Sequence, residues 1–138
     1  MRQIIIFILF IAPFISINAQ ETDKVDPPMI VTKLKSGKTL NLDKKSIKFM
    51  GVTEDSRCPT GVSCVWEGQA KAVIGFYEND KLIEQKVYVF GSSSINPNNM
   101  EELLDQDKTK VYGYTLSPYP SFGQKIEATD YFLELVVK

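Results

Sequence analysis

Histidine is absent from this sequence. Ser-His-Asp and Cys-His nucleophilic catalysis are therefore excluded, as are zinc sites built on imidazole. Cysteine is nearly absent too: the chain has two, too few for a tetrathiolate metal site. No phosphate-binding glycine loop, dinucleotide fingerprint or G-x-S-x-G elbow occurs. Charge of one sign is also missing, because 16 Lys and Arg face 17 Asp and Glu for a net of −1, with no basic run. That balance speaks against a nucleic-acid partner. Any catalysis would fall to carboxylates or hydroxyls without imidazole, so the expectation is a protein that is not an enzyme, with no cofactor and no metal.

Long apolar runs are scarce as well. The one that stands out is Ile4–Ile15, interrupted by Pro13, and it is shorter than the ~20 residues a membrane helix needs. Arg2 precedes it and Ile17-Asn18-Ala19 follows with a small residue last. This order reads as a secretory signal peptide over residues 1–19, cleaved before Gln20; an uncleaved anchor is the alternative. No cysteine follows the run to carry a lipid. The expected product is exported, to the periplasm or the extracellular space, with no stable membrane span after cleavage. Residues 20–28, polar and ending in two prolines, read as a flexible leader, and 29–138 as a single β domain.

Within that domain the alternation of apolar and polar residues predicts about seven strands joined by short turns. Two short strands, 29–34 and 38–42, flank Ser36-Gly37, which reads as a hairpin turn. A third, 46–53, puts Ile47 and Phe49 on one face, and its alternation fails before Gly51, as at a bulge. The clearest hairpin is 69–77 with 82–90: Ala70, Ala72, Ile74 and Phe76 share a face, and Asn79-Asp80 makes the turn. Asn96-Pro97 followed by Met100, Leu103 and Leu104 at helical spacing predicts a short helix over 97–105. Asp105–Thr109 opens like a calcium loop but lacks the sixth-position glycine and twelfth-position glutamate, so it reads as a solvated turn. Strand 110–116 is expected to place Tyr112, Tyr114 and Leu116 together, and Tyr131–Val137 closes the domain. Pro118 or Pro120 could be cis. The fold class is all-β: an antiparallel β-sandwich of immunoglobulin-like size, with a small β-barrel as the alternative.

The rare residues gather in one stretch, Asp55–Gly68, reading DSRCPTGVSCVWEG. It holds both cysteines and the single tryptophan. An even cysteine count in an exported chain implies a Cys58–Cys64 disulfide. A redox dithiol would need C-x-x-C at a helix N-terminus, which is lacking. Pro59 and Gly61 fit a sharp reversal, with Thr60, Val62 and Ser63 at an exposed tip. Trp66 is expected over the disulfide at the end of the core; a peptide- or sugar-binding face is the other reading. Asp55 and Arg57 are expected to pair locally and set the loop's angle, with Arg57 a candidate to lie over the Trp66 ring. Glu54, Asp55 and Glu67 could gather round a cation, though their spacing does not require it.

The run Asp55-Ser56-Arg57-Cys58-Pro59, with Val62, Cys64-Val65-Trp66, Gly68 and Ala70, resembles a signature close to DSRCP-x-x-V-x-C-V-W-x-G-x-A. That signature marks an uncharacterised family of small exported bacterial proteins. Leu116–Pro120 and Asp130-Tyr131 are similar to the family's C-terminal half; Glu67 stands where the pattern usually has alanine. The resemblance implies export and an all-β domain and carries no activity.

The function these readings favour is an exported non-enzymatic binding or envelope-associated module, presenting Thr60, Val62, Ser63, Trp66 and Tyr119 to a protein or glycan partner. Cys58, Cys64, Asp55, Arg57, Pro59 and Gly68 have structural roles in that reading. The alternatives are a protease inhibitor using the clamped loop, or a glycan-active enzyme with a carboxylate pair such as Asp55 and Glu67.

Overall fold

The structure, a computed structural model, describes residues 29–138; the expected signal peptide and leader lie outside them. Eight strands form two four-stranded antiparallel sheets. They are β1 (Val31–Lys35), β2 (Thr39–Leu42), β3 (Lys45–Asp55), β4 (Gln69–Glu78), β5 (Lys81–Gly91), β6 (Glu101–Gln106), β7 (Thr109–Ser117) and β8 (Phe132–Val137). One sheet has the order β1-β8-β7-β6 and the other β2-β3-β4-β5. The sandwich expectation holds and the barrel does not, because neither β1 and β2 nor β5 and β6 pair. Each sheet is a meander, with β1 added beside β8, and not the Greek key of an immunoglobulin domain.

The core is the inner face of both sheets. Ala70, Ala72, Ile74 and Phe76 of β4 are buried as the alternation requires, against Ile47 and Phe49 of β3 and Phe90 of β5. Leu133 and Leu135 of β8 with Val111 and Leu116 of β7 supply the facing layer. Each large side chain so buried stabilises the fold by roughly 1.5–3 kcal/mol. Asn79 and Asp80 both adopt positive φ, 49° and 63°, the conformation a two-residue hairpin turn needs and Asn and Asp tolerate. The bulge expected before Gly51 is present as a register shift between Phe49 and Gly51. The Ser117–Pro118 peptide is cis.

Three expectations are overturned. Ser36-Gly37 is a turn but not a hairpin: β1 pairs with β8 and β2 with β3, so here the chain changes sheets. Ser36 N–H donates to Tyr131 O in one sheet at 2.9 Å and Gly37 N–H to Phe49 O in the other at 2.7 Å. The helix over 97–105 is absent; residues 101–106 form β6, the edge strand beside β7. A register shift between Glu102 and Leu104 lets Leu103 enter the core while Leu104 still packs against it. That interruption of the alternation mimics helical spacing. Asn96 caps a loop instead: its Nδ2 donates to the carbonyls of Gly91, Ser92 and Ser94. Thirdly, Tyr112 and Tyr114 do not share a face with Leu116. A register shift between Gly113 and Thr115 reverses the phase of β7, leaving Val111, Gly113 and Leu116 buried. Ile95 and Leu103 fill the space over Gly113.

Candidate functional site

The motif occupies one end of the sandwich, where β3 runs into β4. The ladder between these strands continues past their regular ends. Ser56 N–H donates to Gln69 O and Cys58 N–H to Glu67 O, both at 2.8 Å. The chain between Cys58 and Glu67 therefore leaves the sandwich as a protruding loop, and the Cys58–Cys64 disulfide, with Cα atoms 6.0 Å apart, closes its first part into a ring that leaves out Val65 and Trp66. A closed loop this short is worth only about 2 kcal/mol by chain entropy. Cys58→Ser with Cys64→Ser is expected to lower unfolding stability by about that amount in urea titration, and to raise the loop's proteolytic sensitivity far more.

A second loop holds the first. Thr60 N–H donates to Pro120 O at 2.9 Å, Phe122 N–H donates to Thr60 O at 3.1 Å, and the Thr60 and Ser121 hydroxyls are 3.0 Å apart. Thr60 thus forms a joint with the segment after β7, while Gly61, Val62 and Ser63 are exposed beyond it.

Beneath the joint sits Arg57, 6% exposed. Its Nε and Nη2 donate to the two Asp55 carboxylate oxygens at 2.8 and 2.6 Å. Nη1 donates to Leu116 O at 2.6 Å and Nη2 to Pro118 O at 3.1 Å. The guanidinium thereby ties the motif to a strand end about 60 residues away in sequence. The planar fork of arginine suits this work, since one group must serve a carboxylate and two carbonyls together. Tyr131 Oη donates to Asp55 Oδ2 at 3.0 Å. Burial alone would raise the Asp55 pKa, but the hydrogen bonds and charge of Arg57, with help from the Tyr131 hydroxyl, hold it below the ordinary value. Burial first, then the bond to Asp55 and its charge, push the Tyr131 phenol up to about 12.

The expected local pairing of Asp55 with Arg57 is therefore present. The expected position of Trp66 is not: the ring is 77% exposed. The ladder ends at Cys58–Glu67, so Trp66 lies outside the last backbone pair, beyond the core's reach. Tyr119 takes the place foreseen for it, with its ring over Arg57 at 5.0 Å; the cation–π contact is with Tyr119, not Trp66. Val65 is fully exposed and Phe122 is 73% exposed, and Val62 and Tyr119 of the same two loops are exposed as well. Val65 and Phe122 are not among the residues expected at the surface. Phe122 was nonetheless legible, since an aromatic between Pro120 and Gly123 sits where no strand could carry it inward. Beside Tyr119 lies an open groove of about 410 Å³, lined by Glu67, Phe90, Ile95 and Asn96 among others.

The three acidic residues do not gather. Asp55 is engaged by Arg57, Glu54 pairs with Lys71 at 2.7 Å, and Glu67 is exposed. Among the described residues no group of three or more His, Cys, Asp or Glu could hold a metal ion, and no helix is long and apolar enough to cross a membrane. No protein-family model, curated protein or solved structure matches this chain.

Proposed function

We propose that the protein is an exported, non-enzymatic binding module whose partner docks on Val62, Val65 and Trp66 together with Tyr119 and Phe122. The observation that carries this reading is Trp66, 77% exposed next to the fully exposed Val65, directly after the ring that the disulfide closes. Left in water, such side chains contribute nothing to folding; covered by a partner, they are the residue types that dominate interface energies. The loop's covalent closure and its joint with Pro120–Phe122 reduce the ordering cost of association. The aliphatic Val62 and Val65 on the same loop as Trp66 favour a protein surface over a glycan, whose hydroxyls need polar partners.

The alternatives draw less support. An inhibitory loop needs free backbone groups to pair with a protease, and those of Thr60 are taken by Pro120 and Phe122. Glycan cleavage by Asp55 and Glu67 needs two facing carboxylates in a cleft, whereas Asp55 is held in an ion pair and Glu67 is exposed.

Affinity capture from envelope extract with the purified protein tests the reading. Trp66→Ala is expected to weaken retention of the captured partner roughly 30-fold or more, the loss of a hot-spot aromatic. Its thermal stability should stay within about 0.5 kcal/mol of the parent, since the side chain lies mostly in solvent. Recovery of the same partners at the same strength by Trp66→Ala and by a variant with Thr60, Val62 and Ser63 replaced would remove this surface from consideration.

A further inference from the structure

A different part of the molecule carries a second surface. Strand β5 is the free edge of its sheet. Its last residues are covered, because Ile95 N–H donates to Val89 O and Gly91 N–H to Ile95 O, both at 3.1 Å. Those bonds show that the backbone groups of residues 89 and 91 point away from β4. By the alternation of an antiparallel strand, those of Gln85 and Val87 point the same way, and among the described residues no strand lies beside them. Every residue from Lys81 to Val87 is exposed, including the apolar Leu82, Ile83 and Val87. An open edge of this kind is a template for another strand.

The sequence of the edge specifies which strand. Glu84 and Lys86 lie on one face of β5, their charged groups 2.9 Å apart. A second copy laid antiparallel about a two-fold axis through Gln85 sets Glu84 opposite the other copy's Lys86, and Lys86 opposite its Glu84. The same register pairs the outward backbone groups of the two Gln85 residues, and the register shift that leaves Ile83 without a partner in β4 falls at the end of the contact. The neighbouring two-fold registers that keep outward groups opposed centre on Glu84 or on Lys86, and so bring like charges face to face, which opposes pairing. Of these registers, only the one about Gln85 sets opposite charges face to face. Self-complementarity of this sort is what an isologous interface requires.

We propose that the protein forms a homodimer through antiparallel β5–β5 pairing about Gln85, joining two four-stranded sheets into one of eight strands. This surface is separate from the clamped loop, and leaves both loops of the dimer open to partners.

Sedimentation equilibrium of the purified protein over a wide concentration range is the test. A concentration-dependent dimer is expected. Glu84→Lys and Lys86→Glu should each raise the dimer dissociation constant about tenfold or more, because each places like charges opposite one another twice. The double variant Glu84→Lys/Lys86→Glu should restore the parent value, and mixing the two single variants should give a heterodimer. Val87→Pro should abolish the dimer while leaving the monomer folded by circular dichroism, since its N–H is not used in the ladder to β4. A protein that stays monomeric up to about 1 mM, or a dimer unaffected by the single charge reversals, overturns the proposal.

Discussion

Arg57→Ala is expected to lower unfolding stability by about 3–5 kcal/mol in urea or guanidinium titration. The change strands the Asp55 carboxylate, whose side chain is only 10% exposed, without its counter-charge. It also leaves the carbonyls of Leu116 and Pro118 without the donors they have in the native fold, and removes the cation beneath Tyr119. Breaking a buried pair on one side costs more than replacing both members by apolar groups. The double variant Asp55→Leu/Arg57→Met is therefore expected to be more stable than Arg57→Ala. Arg57→Lys should recover little, because one ammonium cannot reach a carboxylate and two carbonyls in the same geometry.

The same network has a pH signature. The Asp55 pKa is lowered in the fold, so its contribution is fully present above the ordinary value of 3.8 and is lost as pH falls through the lower folded value. Tyr131 has the opposite sign. Its phenol is raised from 10.0 to about 12, so its contribution is intact below pH 10 and is lost as pH climbs toward 12. A stability profile of the parent should fall at both extremes, and Arg57→Ala should flatten the acid limb. An unchanged acid limb in Arg57→Ala would show that Asp55 is not held by the guanidinium.

Gly68→Ala is the second large effect, expected at about 3 kcal/mol or more, a fall in melting temperature of roughly 10 °C or more for a domain of this size. Gly68 has φ +68°, and a Cβ there would lie 1.8 Å from Ser56 O and 2.6 Å from its carbonyl carbon. Neither backbone can yield, because the bonds from Ser56 to Gln69 and from Cys58 to Glu67 hold the two strands on either side of the contact. Gly123 is the control. Its φ of +75° is similar, but a Cβ there would meet nothing within 4 Å. Gly123→Ala should therefore show the conformational cost alone, about 1–2 kcal/mol. Equal losses at the two positions would mean that close approach to Ser56 is not what requires glycine.

These two positions show where sequence reading reaches and where it stops. Gly68 stood in the motif as a structural residue, and Asp55 with Arg57 as a local pair. Both were legible because the partners are near in sequence. The carbonyls of Leu116 and Pro118 were not, since no local pattern says which distant backbone a buried guanidinium will meet. The β6 strand was hidden for a related reason. An edge strand with a bulge shows two successive leucines, which is the spacing of a helix turn, and only pairing with β7 selects the extended form.

By itself, then, the sequence determined the all-β class, the β4–β5 hairpin and its turn, the face of β4 that builds the core, and the disulfide-closed loop. Alternation and turn chemistry are local, and a period of two has one meaning once one face must be buried. Tertiary structure alone decided that the chain changes sheets at Gly37, that Tyr119 rather than Trp66 covers Arg57, and that Val65, Trp66 and Phe122 are left in water. Each depends on where the ends of two sheets fall relative to one another, which is set by closure of the sandwich between residues far apart in the chain. The stretch of rare residues, Asp55–Gly68, is thus a corner fastened from beneath by Arg57, with its single tryptophan facing outward.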